Sequence, residues 1–203
     1  MIKKAMNKLL IATNNKGKVR ELQDLLKDTG IELVTPAQID LELDITEDGH
    51  TYAENATKKA VAFAQASGLV SLADDSGLEV DVLNGAPGLY SARYSSKQNP
   101  TDKDRRLYLL QNLQDKPRPW TARFHATIAI ATPNDQLQIT EGFCEGEIIL
   151  EERGTGGFGY DPIFLLSELG KTMAELSMEE KNRLSHRARA VINAKPILIT
   201  IFR

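Results

Sequence analysis

Cysteine is almost missing from this 203-residue sequence, which has only Cys144. No intramolecular disulfide can form, which fits a reducing compartment. Long apolar runs are also missing. The opening stretch MIKKAMNKLLIATNN carries basic residues but only a very short apolar run. It does not read as a secretory signal, and nothing approaches a membrane span. A cytoplasmic protein with no membrane partner is therefore expected. An excess of positive charge is lacking too: 25 Lys and Arg stand against 28 Asp and Glu, a net charge of −3. A uniformly basic nucleic-acid binder looks different, so nucleic acid is not an expected partner. Any phosphate site must be a local cluster of Lys and Arg. What is present is an ordinary globular balance, with 41% hydrophobic and 26% charged residues. No repeat or low-complexity linker divides the chain, so residues 1–203 are expected to form one domain with a real core.

Short apolar runs alternate with helical patterns. Leu9 to Ala12 predicts a buried strand running into polar Thr13-Asn14-Asn15. Val19, Leu22, Leu25 and Leu26 then recur at helical spacing from Lys18 to Lys27, and Gly30 ends the pattern. Ile31 to Val34 predicts a second strand. Residues 40–50 are acidic and aperiodic, a loop. Thr51 and Glu54 form a capping box for an alanine-rich helix that Gly68 closes. Leu69 to Ala73 is a third short strand, expected to end at Asp74-Asp75-Ser76-Gly77. Thr101 can cap a helix through Leu113. Phe124, Ala126, Ile128 and Ile130 share one face of a strand, and Pro133-Asn134-Asp135 turns it back around Leu137 to Phe143. Ser177 and Glu180 form another capping box. Pro196 should stop the last helix near Ala194 and leave an extended tail. Early alternation followed by a hairpin argues for an α/β fold with a mixed sheet.

Five groups can carry chemistry. Thr13, Asn14, Asn15, Lys16, Gly17 and Lys18 lie between a strand and a helix N-terminus. Backbone N–H groups and the positive helix end favour phosphate there, with side-chain donors from Asn15 and Lys18. This is not a Walker A loop, and a solvated cap with surface lysines is the plainer reading. Asp74 and Asp75 follow a buried strand, where α/β folds bind ligands. Two adjacent acids can hold Mg²⁺, and one can take a proton from an attacking water; an ordinary Asp-Ser-Gly turn is the alternative. Glu47 can complete a metal site or be a solvated loop charge. In residues 154–161 four glycines let backbone approach a ligand closely. Phe158 and Tyr160 can stack on a base, and Asp161 can accept from a base-edge N–H. Lys181 and His186-Arg187 are the fifth group. If Ser185 caps a fresh helix, two basic residues fall in its first turn. They oppose the helix dipole unless an anion is near.

These stretches occur together and in order. IATNNKGKVREL, TYAENATKKA, LADDSGLEVDVLNGAPGLYSARY, GTGGFGYDPIF and AELSMEEKNRLSHRARA closely resemble the Ham1/RdgB-like inosine triphosphate pyrophosphatase family, from about residue 9 to residue 190. The resemblance implies an elongated mixed β-sheet with flanking helices, two lobes around a central cleft, and a homodimer. It implies Mg²⁺-dependent hydrolysis of ITP, dITP and XTP to the monophosphate and pyrophosphate. Under it, Thr13 to Lys18 grip the triphosphate, and Asp75 is both proton acceptor and metal ligand. Glu47 is the second ligand, with Asp74 adjacent, and Ser76 contacts substrate. Phe158, Gly159, Tyr160 and Asp161 form the base side, and Lys181, His186 and Arg187 contact the nucleotide. One departure is Asn14, where the family often has glycine. If a positive φ is needed there, Asn tolerates it better than most residues.

Three other readings compete. A pyrophosphatase of the related Maf type, acting on pyrimidine or modified nucleotides, would lack the FGYD and SHR blocks. A nucleotide-binding sensor without turnover would need no water-activating carboxylate beside Asp74. A nucleic-acid-binding protein is disfavoured by net charge.

Overall fold

A computed structural model describes residues 7–203 of the chain. In chain order the main elements are β1 (Lys8–Ile11), α1 (Lys16–Leu26), β2 (Glu32–Val34), α2 (Tyr52–Ser67), β3 (Val70–Val80), α3 (Asp102–Leu113), β4 (Thr121–Ala131), β5 (Leu137–Ile148), β6 (Phe164–Leu166), β7 (Lys171–Thr172), α4 (Met178–Leu184) and α5 (His186–Ile201). The sheet has seven strands in the order β2-β1-β3-β4-β5-β6-β7. β1 pairs parallel with β2 and β3, while β6 pairs antiparallel with β5 and β7. This is the mixed α/β sheet with flanking helices that the sequence predicts. The chain forms two compact units.

The first unit comprises residues 7–75, Ala126–Gly142 and Arg187–Arg203. β1 and the start of β3 are apolar on both faces, and helices cover both. Leu9, Ile11 and Leu72 pack with Leu22 and Leu26 of α1 and with Ala188, Val191 and Leu198 of α5. Leu10, Ala12 and Ala73 pack with Ala56, Ala60 and Phe63 of α2. Alternate strand residues point to opposite faces, so this parity sorts every later side chain of β3. Gly68 closes α2 in the left-handed conformation, at φ 68°, and its N–H reaches the Ala64 carbonyl. Asp135 takes the positive φ that the turn between β4 and β5 requires.

The second unit comprises Ser76–His125 and Phe143–His186. Its core gathers Leu78, Val80, Leu109, Leu113, Trp120, Phe124, Ile163 and Phe164. Thr101 caps α3 through the N–H of Asp104, and Asp104 reaches back to the Thr101 N–H. Ser177 and Glu180 do the same for α4.

Two expectations are corrected. Asp74-Asp75-Ser76-Gly77 is not a turn at the end of a strand: β3 runs straight through it for 11 residues. The segment is buried, and strand pairing satisfies its backbone better than a turn can. The second correction concerns Pro196, which does not end the last helix. α5 continues to Ile201 with the proline inside it. Leu198 is fully buried beyond the proline, with Ile197 and Ile201 packed on the same core. That burial outweighs the hydrogen bond the proline removes. Among the described residues no helix is long and apolar enough to cross a membrane.

Pro196→Ala restores the missing donor without touching the buried face. It is expected to stabilise the protein by about 1–3 kcal/mol in urea unfolding. An unchanged or lowered midpoint would show that the helix is already adapted to its proline.

Candidate active site

In the first unit the groups predicted from sequence converge around β3. Asn15 is the N-cap of α1: its side-chain oxygen accepts from Gly17 N at 2.9 Å and Lys18 N at 3.2 Å. Thr13 Oγ1 in turn accepts from Asn15 N at 3.2 Å. The cap therefore occupies two of the backbone donors expected to meet phosphate, and leaves the Asn15 amide nitrogen as the donor of that side chain. Asn14 does not adopt positive φ. Asn14, Asn15 and Lys16 are exposed, while Lys18 turns inward.

The ammonium of Lys18 lies 2.5 Å from Asp74 Oδ1. Asp74 also accepts from Arg187 Nε at 2.8 Å, and Arg187 pairs with Glu21 of α1. Arg187 and Asp74 are almost completely buried. Burial works to raise the Asp74 carboxyl, but Arg187 and Lys18 together hold it far below the usual carboxylate range. The anion required by the basic first turn of α5 is thus the protein's own, Asp74 with Glu21.

Asp75 faces the other way, as strand parity demands. Its carboxylate looks toward α2, where Lys59 Nζ stands 3.4 Å from Asp75 Oδ1, 2.9 Å from Glu47 Oε1 and 3.0 Å from the Asp74 carbonyl. Burial pushes the Asp75 carboxyl above its ordinary value, with Lys59 opposing. Burial would lower the Lys59 ammonium, yet Asp75 and Glu47 hold it above its usual value. The Glu47 loop is pinned to α2. Gly49 N donates to Asn55 Oδ1 at 2.8 Å, and His50 N donates to Glu54 Oε2 at 2.7 Å. Glu54 reaches His50, one residue further back than the Thr51 expected. Among the described residues no three His, Cys, Asp or Glu side chains gather closely enough to hold a metal alone.

Lys59 was missed in the sequence because α2 reads as an alanine-rich core helix. A signal existed. Lys59 stands three residues after Ala56 and four before Phe63, on the buried face. A lysine there needs anions, and β3 with Asp75 and the loop before α2 with Glu47 supply them.

The second unit holds the glycine-rich turn. Lys181 Nζ donates to Asp161 Oδ2 at 2.7 Å, and both side chains are buried. The same oxygen accepts from Phe158 N at 3.0 Å. Gly157 has φ 71°, and a Cβ on it would meet Asp161 Oδ2 at 1.9 Å, so no other residue fits. The Lys181 ammonium lies 5.4 Å from the centroid of Phe158, which is half-buried. Tyr160 is placed differently from the expectation that it can stack on a base. Its ring belongs to the core and its hydroxyl donates to Ser91 O at 3.0 Å. Of the two aromatics, only Phe158 keeps a partly exposed ring. His186 is buried and stacks on Phe124 at 4.7 Å. Ser76 is half-buried, next to Asp75 in β3. α5 begins at His186, directly after Ser185, so His186 and Arg187 do fall in the first turn of a fresh helix. The fifth group is nevertheless divided: Lys181 and His186 are in this unit and Arg187 in the first.

The family model described as the Ham1 family matches residues 9–197. A dITP/XTP pyrophosphatase of Desulforamulus reducens is 49% identical over 197 residues, covering 96% of this chain and 97% of its own. Among solved structures, a HAM1 protein from Coxiella burnetii matches with TM-score 0.85 at 41% identity, covering 95% of this chain and 98% of its own. The Ham1 protein of Staphylococcus aureus matches with TM-score 0.83 at 38% identity, over 94% and 97%. With near-complete coverage by the family model and by these relatives, the chain belongs to the Ham1 family.

Proposed function

We propose that this protein hydrolyses deaminated purine nucleoside triphosphates (ITP, dITP and XTP) to the monophosphate and pyrophosphate, with Mg²⁺, and so keeps these bases out of DNA and RNA. The observation that carries the chemistry is the pair of carboxylates, Glu47 and Asp75, sharing one cation at Lys59. The substrate class follows the name carried by the relatives, dITP/XTP pyrophosphatase. The whole chain works as one catalytic domain, as a homodimer in the cytoplasm.

The donor set fits Mg²⁺. That ion takes one or two carboxylates and fills its remaining positions with water and substrate phosphate, so it needs no third protein ligand. Glu47 and Asp75 would hold it, and when bound it would supply charge neutralisation for the phosphates. Asp75 accepts a proton from the water that attacks at the α–β phosphoanhydride. A carboxyl raised by burial is a better base than an exposed one. Lys59 keeps the two carboxylates close in the absence of substrate. Lys16, exposed on the first turn of α1, and the side chains of Thr13, Asn14 and Asn15 meet the departing pyrophosphate, with Gly17 keeping the turn open. Lys18 and Arg187 act through Asp74, orienting the start of α1 and the middle of β3. Ser76 contacts the substrate beside Asp75. On the base side, Phe158 stacks on the purine, and Lys181 with His186 supplies donors for its 6-carbonyl. An adenine amine offers those donors no acceptor where the 6-carbonyl would stand, which disfavours ATP. Gly159 lets the backbone approach, and Tyr160 and Asp161 hold the turn in shape.

Pyrophosphate release from ITP, dITP and XTP, and from GTP, ATP and dTTP, is expected to show turnover of the first three with Mg²⁺ and none in its absence. No turnover of any of them would sink the enzyme reading. Asp75→Asn should lower kcat by at least about 10²-fold while the fold is kept, because Glu47 still answers Lys59. Retained activity refutes its role as base. Asp74→Asn should instead destabilise the fold by about 3 kcal/mol, because it breaks a buried charge network from one side. An unchanged urea midpoint there would refute the structural role.

A further inference from the structure

The turn that carries Phe158 is held from outside by the first turns of α3, a helix with no assigned part in the reaction. Asp102 and Arg106 stand four residues apart on that helix, hence on one face. Gly159 N–H donates to Asp102 Oδ2 at 2.7 Å. Arg106 Nη1 donates to Gly159 O at 2.8 Å. The peptide groups on both sides of Gly159 are therefore gripped, one by a carboxylate and one by a guanidinium. Each grip is itself fixed. The other oxygen of Asp102 pairs with Arg105, which also donates to Ala92 O and Pro100 O at 3.0 and 2.9 Å. Arg106 forms a two-pronged pair with Glu152, 2.9 Å on each prong.

The residues beside Gly159 have anchors of their own, and the Phe158 N–H donates to Asp161 Oδ2. Tyr160 is already anchored by the core and Ser91, and Asp161 by Lys181. Gly159 has φ 61° with open space where a Cβ would stand. A glycine in open space is the softest point of the chain. It separates Phe158, whose ring is partly exposed, from Tyr160, whose ring is fixed. Two charge-assisted hydrogen bonds at that point remove the freedom the glycine introduces. They hold Phe158 at one distance from the Lys181 ammonium.

We propose that Asp102 and Arg106 are positioning residues that pre-set the Phe158–Asp161 turn for a purine base, and that preference for a 6-oxo over a 6-amino purine depends on this clamp. The proposal rests on the pyrophosphatase reading above. Neither residue touches the substrate. Their effect lies in the orientation of Phe158, so base recognition suffers and the phosphate chemistry does not.

The test compares Asp102→Ala, Asp102→Asn and Arg106→Lys with the wild type on dITP and dATP, measuring pyrophosphate release. Asp102→Ala is expected to raise KM for dITP by roughly ten- to a hundredfold with kcat little changed, and to narrow the preference for dITP over dATP. Asp102→Asn keeps an acceptor for Gly159 N–H and should recover most of both. Arg106→Lys keeps one donor but loses the fork, and should fall between. Wild-type KM and preference in Asp102→Ala would overturn the proposal. So would an equal loss in Asp102→Ala and Asp102→Asn, or a loss confined to kcat. Hydrogen exchange gives a second readout: the Gly159 amide should exchange at least about tenfold faster in Asp102→Ala than in the wild type. If the wild type hydrolyses no purine triphosphate, the pyrophosphatase reading fails on that result alone. The exchange rate still decides the clamp, and an unchanged rate overturns it.

Discussion

A buried arginine organises the first unit. Arg187 has no water to solvate it and must be answered by anions where it stands. Asp74 and Glu21 answer it, and Lys18 completes the charge balance on Asp74. Three elements are joined by one cluster: Arg187 opens α5, Glu21 and Lys18 lie on α1, and Asp74 lies in β3. Removing one partner leaves an uncompensated charge in a dry place. The start of α1, which Thr13 to Asn15 lead into, is therefore fixed in direction by electrostatics as well as by the Leu22 and Leu26 packing.

Parity along the same strand separates two neighbouring carboxylates. Asp74 and Asp75 are adjacent and have opposite surroundings. Asp74 turns to the face covered by α1 and α5 and meets two cations, which keep it ionised and fully engaged. Asp75 turns to the face covered by α2 and meets one lysine at longer range, so burial prevails and its carboxyl rises. One carboxylate anchors the fold, and the other keeps an affinity for protons. Two identical side chains acquire different proton affinities because a strand alternates.

The second unit solves a different problem, holding a glycine-rich turn still. Glycines are needed because Asp161 lies against Gly157, where a Cβ would collide. Their freedom is then removed by neighbours: Lys181 and Asp161 inside the turn, Ser91 beneath Tyr160, and the face of α3 beside Gly159. Rigidity at this turn comes from polar contacts with α3 and α4 together with the hydrogen bonds between Phe158 and Asp161 within it.

The sequence alone determined the local chemistry. The caps at Thr51, Thr101 and Ser177 were legible because a hydroxyl and a carboxylate three residues apart satisfy helix N–H groups within one turn. Ser185 marked a possible helix start before His186, and basic residues placed there demand an anion. The order of motifs identified the family resemblance. Tertiary structure decided whatever depended on distant neighbours. Pro196 stays inside α5 because Leu198 is buried beyond it, and Asp74-Asp75-Ser76-Gly77 remains a strand because its backbone is buried. Lys59 meets Glu47 and Asp75, and Asp102 and Arg106 meet Gly159, across 12 to 57 residues of chain. Local sequence carries the energy of local hydrogen bonds, whereas the partner of a buried charge is known only once the chain has folded around it.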